Sequence, residues 1–538
     1  MTLNWGHAAT AAFLRCPTRR GCRHVSLGLL LWCGAAGAQT PVIVISIDTL
    51  RADHLSAYGY RTVSTPNIDA FAQHGTLFTN VNSQIPLTLP SHTSLFTSTY
   101  PFQNGIEENG QIVPAGAVTL ASVLQSHGYK TAAFIGSSLL GRSAGLDRGF
   151  DEYDSPFGST AAGAESPYST RVRRDGALVL RAATQWLTAH KGQPAFVFIH
   201  LFDLHAPYRL HPVPGSALPE AVGYDAEIRY VDQILGRFKQ TLEQNGWWQR
   251  SLIVLLADHG ESLGEHGESS HGYFAYESTL HVPLMFHWPE SAENYPARAT
   301  RAAGLIDVAP TILDALHLPQ SSFEGTSLMR FDEAAAHAVY SESVYARDQF
   351  RWAALRTLRI GQWKFVGAPR EELYDLEKDP GELSNILRAN SAEATTLRTE
   401  LSKLLTRYTP SEKAPARDAS SGTRTALESL GYLSGNQRTQ QATEGPDPKD
   451  RLPEYQIFEK SLDAFYAHRL EAAISGLRRV VAQDPGNLPA RGTLGQVYLS
   501  AGKPEAAVRE WKAALAADPA FTPAADALAE YEKLSNAK

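Results

Sequence analysis

Three continuous apolar runs constrain the fold of this chain more than any other feature. They read PVIVISI from residue 41, AFVFIHLF from residue 195 and LIVLLA from residue 252. Apolar runs without alternation are typical of strands that are buried on both faces, as in a parallel sheet. Helical patterns lie between them, for example at residues 119–127 and 176–190. The alternation predicts an α/β sandwich with a mostly parallel central sheet.

Composition and charge narrow the class of protein. The chain has 538 residues, of which 43% are hydrophobic and 20% are charged, enough for one large core and a smaller domain. The formal net charge is −7. Because proteins that bind nucleic acid present a basic surface, this balance argues against a nucleic-acid partner.

The first 38 residues have the pattern of a secretory signal. Basic residues precede an apolar stretch at residues 25–32, and Ala36-Gly37-Ala38 offers a cleavage site before Gln39. The apolar stretch is too short for a stable membrane helix. We therefore expect an exported protein, periplasmic or secreted, with no stable membrane span after cleavage. Retention as an uncleaved anchor is the alternative.

All three cysteines lie inside this segment, at Cys16, Cys22 and Cys33. The mature chain would then contain no disulfide and no thiolate metal site. A catalytic nucleophile or metal ligand must come from other residue types.

The rest of the chain divides by composition. Residues 39–335 form the predicted α/β catalytic domain. Residues 336–408 form a small C-terminal subdomain, in which the stretch 352–366 alternates like antiparallel strands. Residues 409–450 are rich in Ser, Thr, Gly and Pro and predict a linker, of which the segment 426–433 is apolar enough to dock on the catalytic domain.

Residues 451–538 contain an internal repeat. Glu471-Ala472-Ala473 recurs as Glu505-Ala506-Ala507, and Asp484-Pro485 recurs as Asp518-Pro519, both at an offset of 34 residues. This is the period of tetratricopeptide (TPR) repeats, which are built from helix pairs. Two units seldom bury enough surface, so we expect a capping helix near the C-terminus and packing against the neighbouring domain. Two roles of this module stay open. It binds a protein partner, or it is a plain helical domain without a ligand.

Polar residues directly follow two of the three apolar runs. Asp48 comes after the first run, and Asp258-His259-Gly260 comes after the third. Because the carboxyl ends of parallel strands share one edge of a sheet, we expect Asp48, Asp258 and His259 to converge there. Two carboxylates, one imidazole and one further oxygen form a site for a divalent cation. The mixed oxygen and nitrogen set favours zinc or manganese over calcium; we expect one ion and leave a second open.

Thr88 supplies the further oxygen in this interpretation. Pro90 suits the first turn of a helix, which places Thr88 at the helix N-terminus, where free amides and the helix dipole attract an anion. A bound cation and the helix end favour the threonine alkoxide, which is then a nucleophile. Each residue alone has a simpler explanation, since a Thr before Pro is usually an N-cap. Together they predict a metal site made by Asp48, Thr88, Asp258 and His259.

The same residues resemble sulfatase signatures in their order along the chain. The run TLPSHTSLFT from Thr88, closed by Tyr100-Pro101, resembles the signature Cys-x-Pro-Ser-Arg, whose Cys, or a Ser, is converted to formylglycine. Thr88 cannot become that aldehyde, and His92 replaces the Arg. Further matches lie at residues 47–53, 65–69, 258–261 and 307–311. The chain is thus identified as a member of the sulfatase-like branch of the alkaline phosphatase superfamily, one that attacks with an unmodified hydroxyl.

The resemblance implies roles for further residues. His205 resembles the substrate-binding His of sulfatases, and His271 falls where sulfatases place a Lys that contacts the sulfate. The pair would bind substrate oxygens and protonate the leaving oxygen, or hold a second metal with Asp203, although Asp203 fits a supporting loop role better. Asn109 resembles the oxyanion-binding Asn of nucleotide pyrophosphatases and phosphodiesterases. Supporting or structural roles remain for His92, His266 and His281.

We therefore predict a metal-dependent hydrolase of an anionic ester substrate with Thr88 as the nucleophile. Phosphodiesters, phosphonate esters and phosphomonoesters are the favoured substrates, because a threonine sulfate lacks the exit that the second hydroxyl of formylglycine provides. A sulfatase is the alternative, followed by an envelope transferase of the phosphoethanolamine or phosphoglycerol type. A non-enzymatic alternative makes the TPR module the working part and the α/β domain its scaffold.

Overall fold

The computed structural model describes residues 39–157, 172–208, 220–293, 295–320, 322–329, 337–408, 414 and 445–536. The predicted signal segment and most of the predicted linker, including residues 426–433, lie outside these ranges. The strands, numbered in chain order, are β1 Val42–Ile47, β2 Gly75–Phe78, β3 Val81–Asn82, β4 Lys130–Phe134, β5 Glu152–Asp154, β6 Ala195–Leu201, β7 Leu252–Leu256, β8 Leu284–His287, β9 Arg298–Ala299, β10 Ala303–Gly304, β11 Ala338–Ser343, β12 Leu355–Ile360, β13 Trp363–Gly367 and β14 Glu372–Asp375.

The α-helices are α1 Pro66–Gln73, α2 Thr88–Thr97, α3 Pro101–Asn104, α4 Leu120–Ser126, α5 Gly176–Ala189, α6 Glu220–Gln244, α7 Trp247–Arg250, α8 Glu277–Leu280, α9 Val308–Ala315, α10 Tyr345–Phe350, α11 Ser391–Arg407, α12 Pro448–Tyr466, α13 Leu470–Gln483, α14 Leu488–Ser500, α15 Pro504–Ala517 and α16 Thr522–Asn536. Short 3-10 helices occur at Ala52–His54, Ser56–Tyr58, Ser138–Leu140, Arg142–Ala144, Glu265–Gly267 and Leu305–Asp307. Within the described residues, no helix has the length and apolar character that crossing a membrane requires.

An eight-stranded sheet lies at the centre of the α/β domain, in the order β5-β4-β6-β1-β7-β8-β2-β9. Strands β5, β4, β6, β1 and β7 run parallel, whereas β8 is antiparallel to β7 and to β2. The three apolar runs form β1, β6 and β7, and every residue of these strands is buried. The predicted mostly parallel sheet is confirmed. Because β1 lies between β6 and β7, the loops that follow these strands meet at one edge.

A second, antiparallel sheet contains β11, β12, β13 and β14. Helix α11 packs on it through Leu397 and Leu401, beside Phe365. The predicted antiparallel subdomain is confirmed. A buried ion pair joins it to the first domain, since Lys364 on β13 lies 3.0 Å from Glu277 on α8. Removing one partner of such a pair would leave an uncompensated buried charge.

Helices α12 to α16 form the C-terminal module. The Asp447 side chain caps α12, so this helix begins inside the predicted linker. Trp511 and Phe521 belong to a buried cluster shared by α15 and α16, as expected of a capping helix. Tyr455 on α12 packs among aromatic side chains of the α/β domain and the antiparallel subdomain. The C-terminal module therefore packs against the preceding domains, as expected for an array of so few repeats.

Candidate active site

Three of the predicted metal ligands meet at the carboxyl edge of the central sheet. Asp48 follows β1, Asp258 and His259 follow β7, and all three side chains are fully buried. One ligand atom from each residue lies within 4.8 Å of the other two. His259 Nε2 and Asp258 Oδ2 are 3.6 Å apart. This is close to the separation of about 3.4 Å between two ligands on one tetrahedral ion.

A group of polar atoms at this edge is buried and forms no hydrogen bond within the described residues. They are Asp48 Oδ1, Thr88 Oγ1, Asn109 Nδ2, Asp258 Oδ2 and His259 Nε2. Buried polar atoms are normally paired in folded proteins, so a cluster of unpaired oxygen and nitrogen atoms indicates a ligand site. All but the amide nitrogen belong to the residues predicted to hold a divalent cation. Carboxylates, an imidazole and a hydroxyl are donors that fit such an ion.

Thr88 is the first residue of α2, and Leu87 is the N-cap. Thr88 therefore does not have the capping role that a Thr before Pro usually has. Burial raises the pKa of the Asp48 carboxyl. The nearby Thr88 hydroxyl partly opposes this shift because it favours the charged carboxylate, although the two groups form no well-aligned hydrogen bond. One turn along α2, Ser91 Oγ donates to the Asp258 carbonyl over 2.7 Å. This bond fixes the start of α2 relative to the loop after β7 that carries Asp258 and His259.

Asn109 also lies at the start of α2. Its Oδ1 accepts a hydrogen bond from the Leu89 amide over 2.8 Å. Because this bond fixes which end of the side chain faces the helix, the Nδ2 group is left as an unpaired buried donor. A donor held in this way can stabilise an oxyanion next to the helix N-terminus.

His92 supports α2 from its buried side. Its Nδ1–H donates to the Thr88 carbonyl over 2.7 Å, and its Nε2 accepts from Ser46 Oγ over 2.9 Å. His92, His200 and Asp258 lie near enough to one another to hold an ion. However, both nitrogens of His92 are used in hydrogen bonds, so this histidine cannot act as a ligand.

His200 is a residue that the sequence did not single out. It lies on β6, opposite Ser46 of β1 in the parallel register. Its Nε2 is 3.3 Å from Asp48 Oδ2, and the side chain is fully buried. A hydrogen bond of this kind fixes the orientation of a ligand carboxylate. An imidazole inside an otherwise apolar strand was the signal that could have found it.

Three imidazole rings contact one another in sequence, beginning with His259 of the ligand cluster. The ring centroids of His259 and His271 are 4.4 Å apart, and those of His271 and His205 are 5.1 Å apart. His259 and His205 each donate from Nδ1 to the carbonyl of the following residue, and His271 Nδ1 lies 2.8 Å from a Glu261 oxygen. A proton on Nδ1 leaves the lone pair on Nε2, the form required of a metal ligand or a proton acceptor.

Glu261 is a second residue to which the sequence gave no role. It is fully buried beneath His271, and its carbonyl accepts a hydrogen bond from Arg51. A carboxylate that binds the Nδ1–H of a histidine fixes both the tautomer and the ring orientation. Gly272, the residue after His271, has φ +100°, and a Cβ at this position would lie 3.2 Å from the Leu87 side chain. His271 is therefore held close to the start of α2.

Burial controls the charge of this site. It raises the pKa of Asp48 to about 6 and that of Glu261 to about 7, and it also raises the pKa of Asp258. Burial lowers the pKa of His271 to about 4 and that of His205 well below its ordinary value. At neutral pH both imidazoles are uncharged and keep their lone pairs. A cation between the two carboxylates would offset their repulsion.

The remaining predicted residues lie around this cluster in supporting positions. Asp203 accepts a hydrogen bond from the Gly176 amide at the start of α5 over 3.0 Å. The ring of His266 stacks on Tyr276 at 3.7 Å, and His281 donates to a backbone carbonyl over 2.9 Å. These contacts are those of residues that hold helices and loops in place.

Known protein families match most of the chain. The sulfatase family model matches residues 40–318, which is more than half of the 538 residues. The chain belongs to the sulfatase family. The C-terminal model of N-sulphoglucosamine sulphohydrolase matches residues 264–410, and a tetratricopeptide repeat model matches residues 464–531. The sulfatase resemblance and the TPR module predicted from the sequence are confirmed.

Individual relatives agree with this assignment. An N-acetylgalactosamine-6-O-sulfatase from Bacteroides thetaiotaomicron is 22% identical over 486 residues, covering 68% of this chain and 93% of that protein. Arylsulfatase K from Bos taurus is 22% identical and covers 65% of this chain and 79% of that protein. The solved phosphonate monoester hydrolase of Agrobacterium radiobacter has a TM-score of 0.56 at 22% identity, covering 71% of this chain and 100% of that one. The names of the curated relatives favour the sulfatase alternative over the predicted preference for phosphorus esters, which is not confirmed.

Proposed function

We propose that this member of the sulfatase family hydrolyses an anionic ester by direct attack of the Thr88 hydroxyl. The observation that carries the proposal is the buried, unpaired Thr88 hydroxyl at the start of α2, beside the cluster of Asp48, Asp258 and His259. Neither Cys nor Ser, the residues that become formylglycine, occupies this position. We therefore assign the role of nucleophile to the threonine oxygen itself.

Asp48, Thr88, Asp258 and His259 would hold the divalent cation, and their mixed oxygen and nitrogen donors favour zinc or manganese. When bound, such an ion supplies positive charge that stabilises the threonine alkoxide and the developing charge on the substrate oxygens.

The side chains of the site account for the proton transfers. Neutral His271 or His205 accepts the Thr88 proton on Nε2 while the Thr88 oxygen bonds to phosphorus or sulfur. The same proton passes to the leaving ester oxygen as its bond breaks, so that charge stays balanced. Asn109 Nδ2 and the first amides of α2 donate to the non-bridging oxygens. Water then attacks the threonine ester from the opposite side and gives a proton to His271 or His205, and this proton returns to the Thr88 oxygen as its bond to phosphorus or sulfur breaks.

Phosphorus esters are the substrate class that this chemistry favours. Water opens a phosphothreonine by attack at phosphorus, whereas a threonine sulfate has no second hydroxyl with which to expel sulfate. Sulfate esters are the second candidate. They are favoured by the names of the relatives, among them the N-acetylgalactosamine-6-O-sulfatase, and the substrate would then be a sulfated sugar.

Parallel assays of the metal-loaded protein separate these candidates. We expect faster turnover of bis(p-nitrophenyl) phosphate or a p-nitrophenyl phosphonate than of p-nitrophenyl sulfate. Thr88→Ala should abolish turnover, while Thr88→Ser, with its unmodified hydroxyl confirmed by mass spectrometry, serves as the matched control. Faster turnover of the sulfate would favour the second candidate. Unchanged activity of Thr88→Ala on every ester would reject direct attack by Thr88.

We also propose that the protein is exported and that its TPR module binds a protein partner. The pattern of residues 1–38 supports export to the periplasm or the medium. The TPR module supports a protein partner. Addition of alcohol acceptors to the assay tests the transferase alternative, because a transferase would form a new diester in place of the hydrolysis product. A pure scaffold should bind no metal stoichiometrically, so metal analysis tests the non-enzymatic alternative.

A further inference from the structure

The segment that carries His271 is held by a helix of the C-terminal module. This segment, residues 264–276, is here named the histidine loop. The ring of Tyr455 on α12 stacks on the ring of Tyr273 in the loop, with centroids 4.0 Å apart and planes 10° apart. The Tyr273 hydroxyl donates to the Pro448 carbonyl, at the start of α12, over 2.6 Å. Stacked aromatic rings with an additional hydrogen bond form a strong local contact.

Two more contacts fix the first half of the histidine loop. Gln456 Nε2 donates to the Gly267 carbonyl over 2.8 Å, and Ser269 Oγ donates to a Glu459 carboxylate oxygen over 3.0 Å. Gly267 has φ +82°, and a Cβ there would lie 2.8 Å from the Leu452 side chain. Helix α12 thus contacts the loop on both sides of His271 in the sequence.

The loop depends on such contacts because it has little regular structure of its own. Apart from the short 3-10 helix Glu265–Gly267, residues 264–276 form no helix or strand. Buried Glu268 accepts from the Tyr273 amide over 2.8 Å, which transmits the position of Tyr273 to the rest of the loop. Gly272 packs on Leu87, the residue before Thr88. A shift of the loop would therefore move His271 relative to the nucleophile.

We propose that α12 is a positioning element of the active site, in which Tyr455 and Gln456 hold the histidine loop so that His271 Nε2 faces the reacting ester. The inference rests on the proposed function, since it takes His271 as the proton carrier. It makes the C-terminal module a structural part of the enzyme, whatever else the module binds.

The test uses the full chain with three variants. Tyr455→Ala removes the stacked ring, Tyr455→Phe keeps it, and Phe521→Ala truncates an aromatic side chain of the same class in the cluster of α15 and α16. Measurements are kcat, KM, the pH profile of kcat, metal content and amide hydrogen exchange of residues 264–276. We expect Tyr455→Ala to lose about 10- to 100-fold in kcat, since small misplacements of catalytic groups cost this much.

The other readouts separate positioning from general destabilisation. In Tyr455→Ala the metal content and KM should stay near wild type, while the pH profile shifts and exchange in the histidine loop becomes faster. Tyr455→Phe keeps the stacked ring and loses only the contact of its hydroxyl with Glu459, so it should restore most of the wild-type kcat and loop protection. Phe521→Ala should keep wild-type kcat and loop exchange, although its melting temperature falls. If Tyr455→Ala does not fold, Gln456→Ala removes only the Gly267 hydrogen bond and should give a smaller loss in the same direction.

Equal loop exchange in Tyr455→Ala and Phe521→Ala would overturn the inference, whatever the activity. Faster exchange with unchanged kcat would overturn it too. If the wild-type protein hydrolyses none of the esters, the proposed function fails separately. Binding of orthovanadate then replaces kcat: weaker binding by Tyr455→Ala together with faster exchange supports the positioning role, and unchanged binding rejects it.

Discussion

Replacement of Glu261 by Gln tests how the site orients His271, the proposed proton carrier. The carboxylate lies 2.8 Å from His271 Nδ1, and both groups are buried. Gln keeps the size and an acceptor oxygen but removes the charge. A hydrogen bond to a charged group contributes about 1.5–3 kcal/mol, against about 0.5–1.5 kcal/mol for a neutral one. The difference of about 1–2 kcal/mol predicts a loss of about 5- to 30-fold in kcat/KM.

The assay measures kcat/KM at pH 8.5, above the pKa of about 7 to which burial raises the Glu261 carboxyl. Glu265→Gln is the matched control on the same loop. Its carboxylate is 40% exposed and pairs with Arg51, so its replacement costs about 0–1 kcal/mol. Imidazole nitrogen NMR should show His271 protonated on Nδ1 in the wild type and a mixture of tautomers in Glu261→Gln. Equal kcat/KM in the two variants, with the same tautomer at His271, would refute the positioning role of Glu261.

Replacing Asn109 by Ala removes the unpaired donor at α2 and should lower kcat about 10²- to 10³-fold with metal content unchanged; a kcat within threefold of wild type would exclude an oxyanion role. Burial lowers the pKa of His287 to about 4 from 6.5, so between these pH values the unfolded chain binds a proton that the folded chain does not, and stability falls as the pH falls. His287→Gln keeps a donor for the Trp248 carbonyl and should reduce this loss by about 3 kcal/mol in urea unfolding; equal acid sensitivity of the two proteins would contradict it. Lys364→Met leaves Glu382 without its buried cation and Glu277 with Arg359 alone, and should destabilise the fold by about 3–5 kcal/mol; a change below about 1 kcal/mol in the same assay would show that these pairs stabilise little.

The central sheet could be predicted because its strands are encoded locally. The runs that form β1, β6 and β7 are apolar throughout, as strands covered on both faces must be. The meeting of Asp48 with Asp258 and His259 could also be predicted, because parallel strands place their carboxyl ends at one edge. The repeat period revealed the C-terminal helices for a similar reason, since each unit repeats the same local pattern.

The contacts of His200 and Glu261 could not be predicted, because they join segments that are distant in the sequence or linked by an irregular loop, although the imidazole in the apolar strand β6 marks His200 as unusual. His200 reaches Asp48 only through the register that places it opposite Ser46. Glu261 reaches His271 through a loop that has no periodic pattern. The contact of α12 with the histidine loop likewise joins segments far apart in the sequence.

The central claim is that Asp48, Thr88, Asp258 and His259 bind one divalent ion and that the Thr88 oxygen attacks the ester. The most direct test is a crystal of the full-length protein, loaded with zinc and soaked with orthovanadate, with diffraction data measured at the zinc absorption edge. We predict one strong anomalous peak within bonding distance of these four side chains, and vanadium bonded to Thr88 Oγ1. A map without a peak between them, or vanadate bound away from Thr88, would contradict the account.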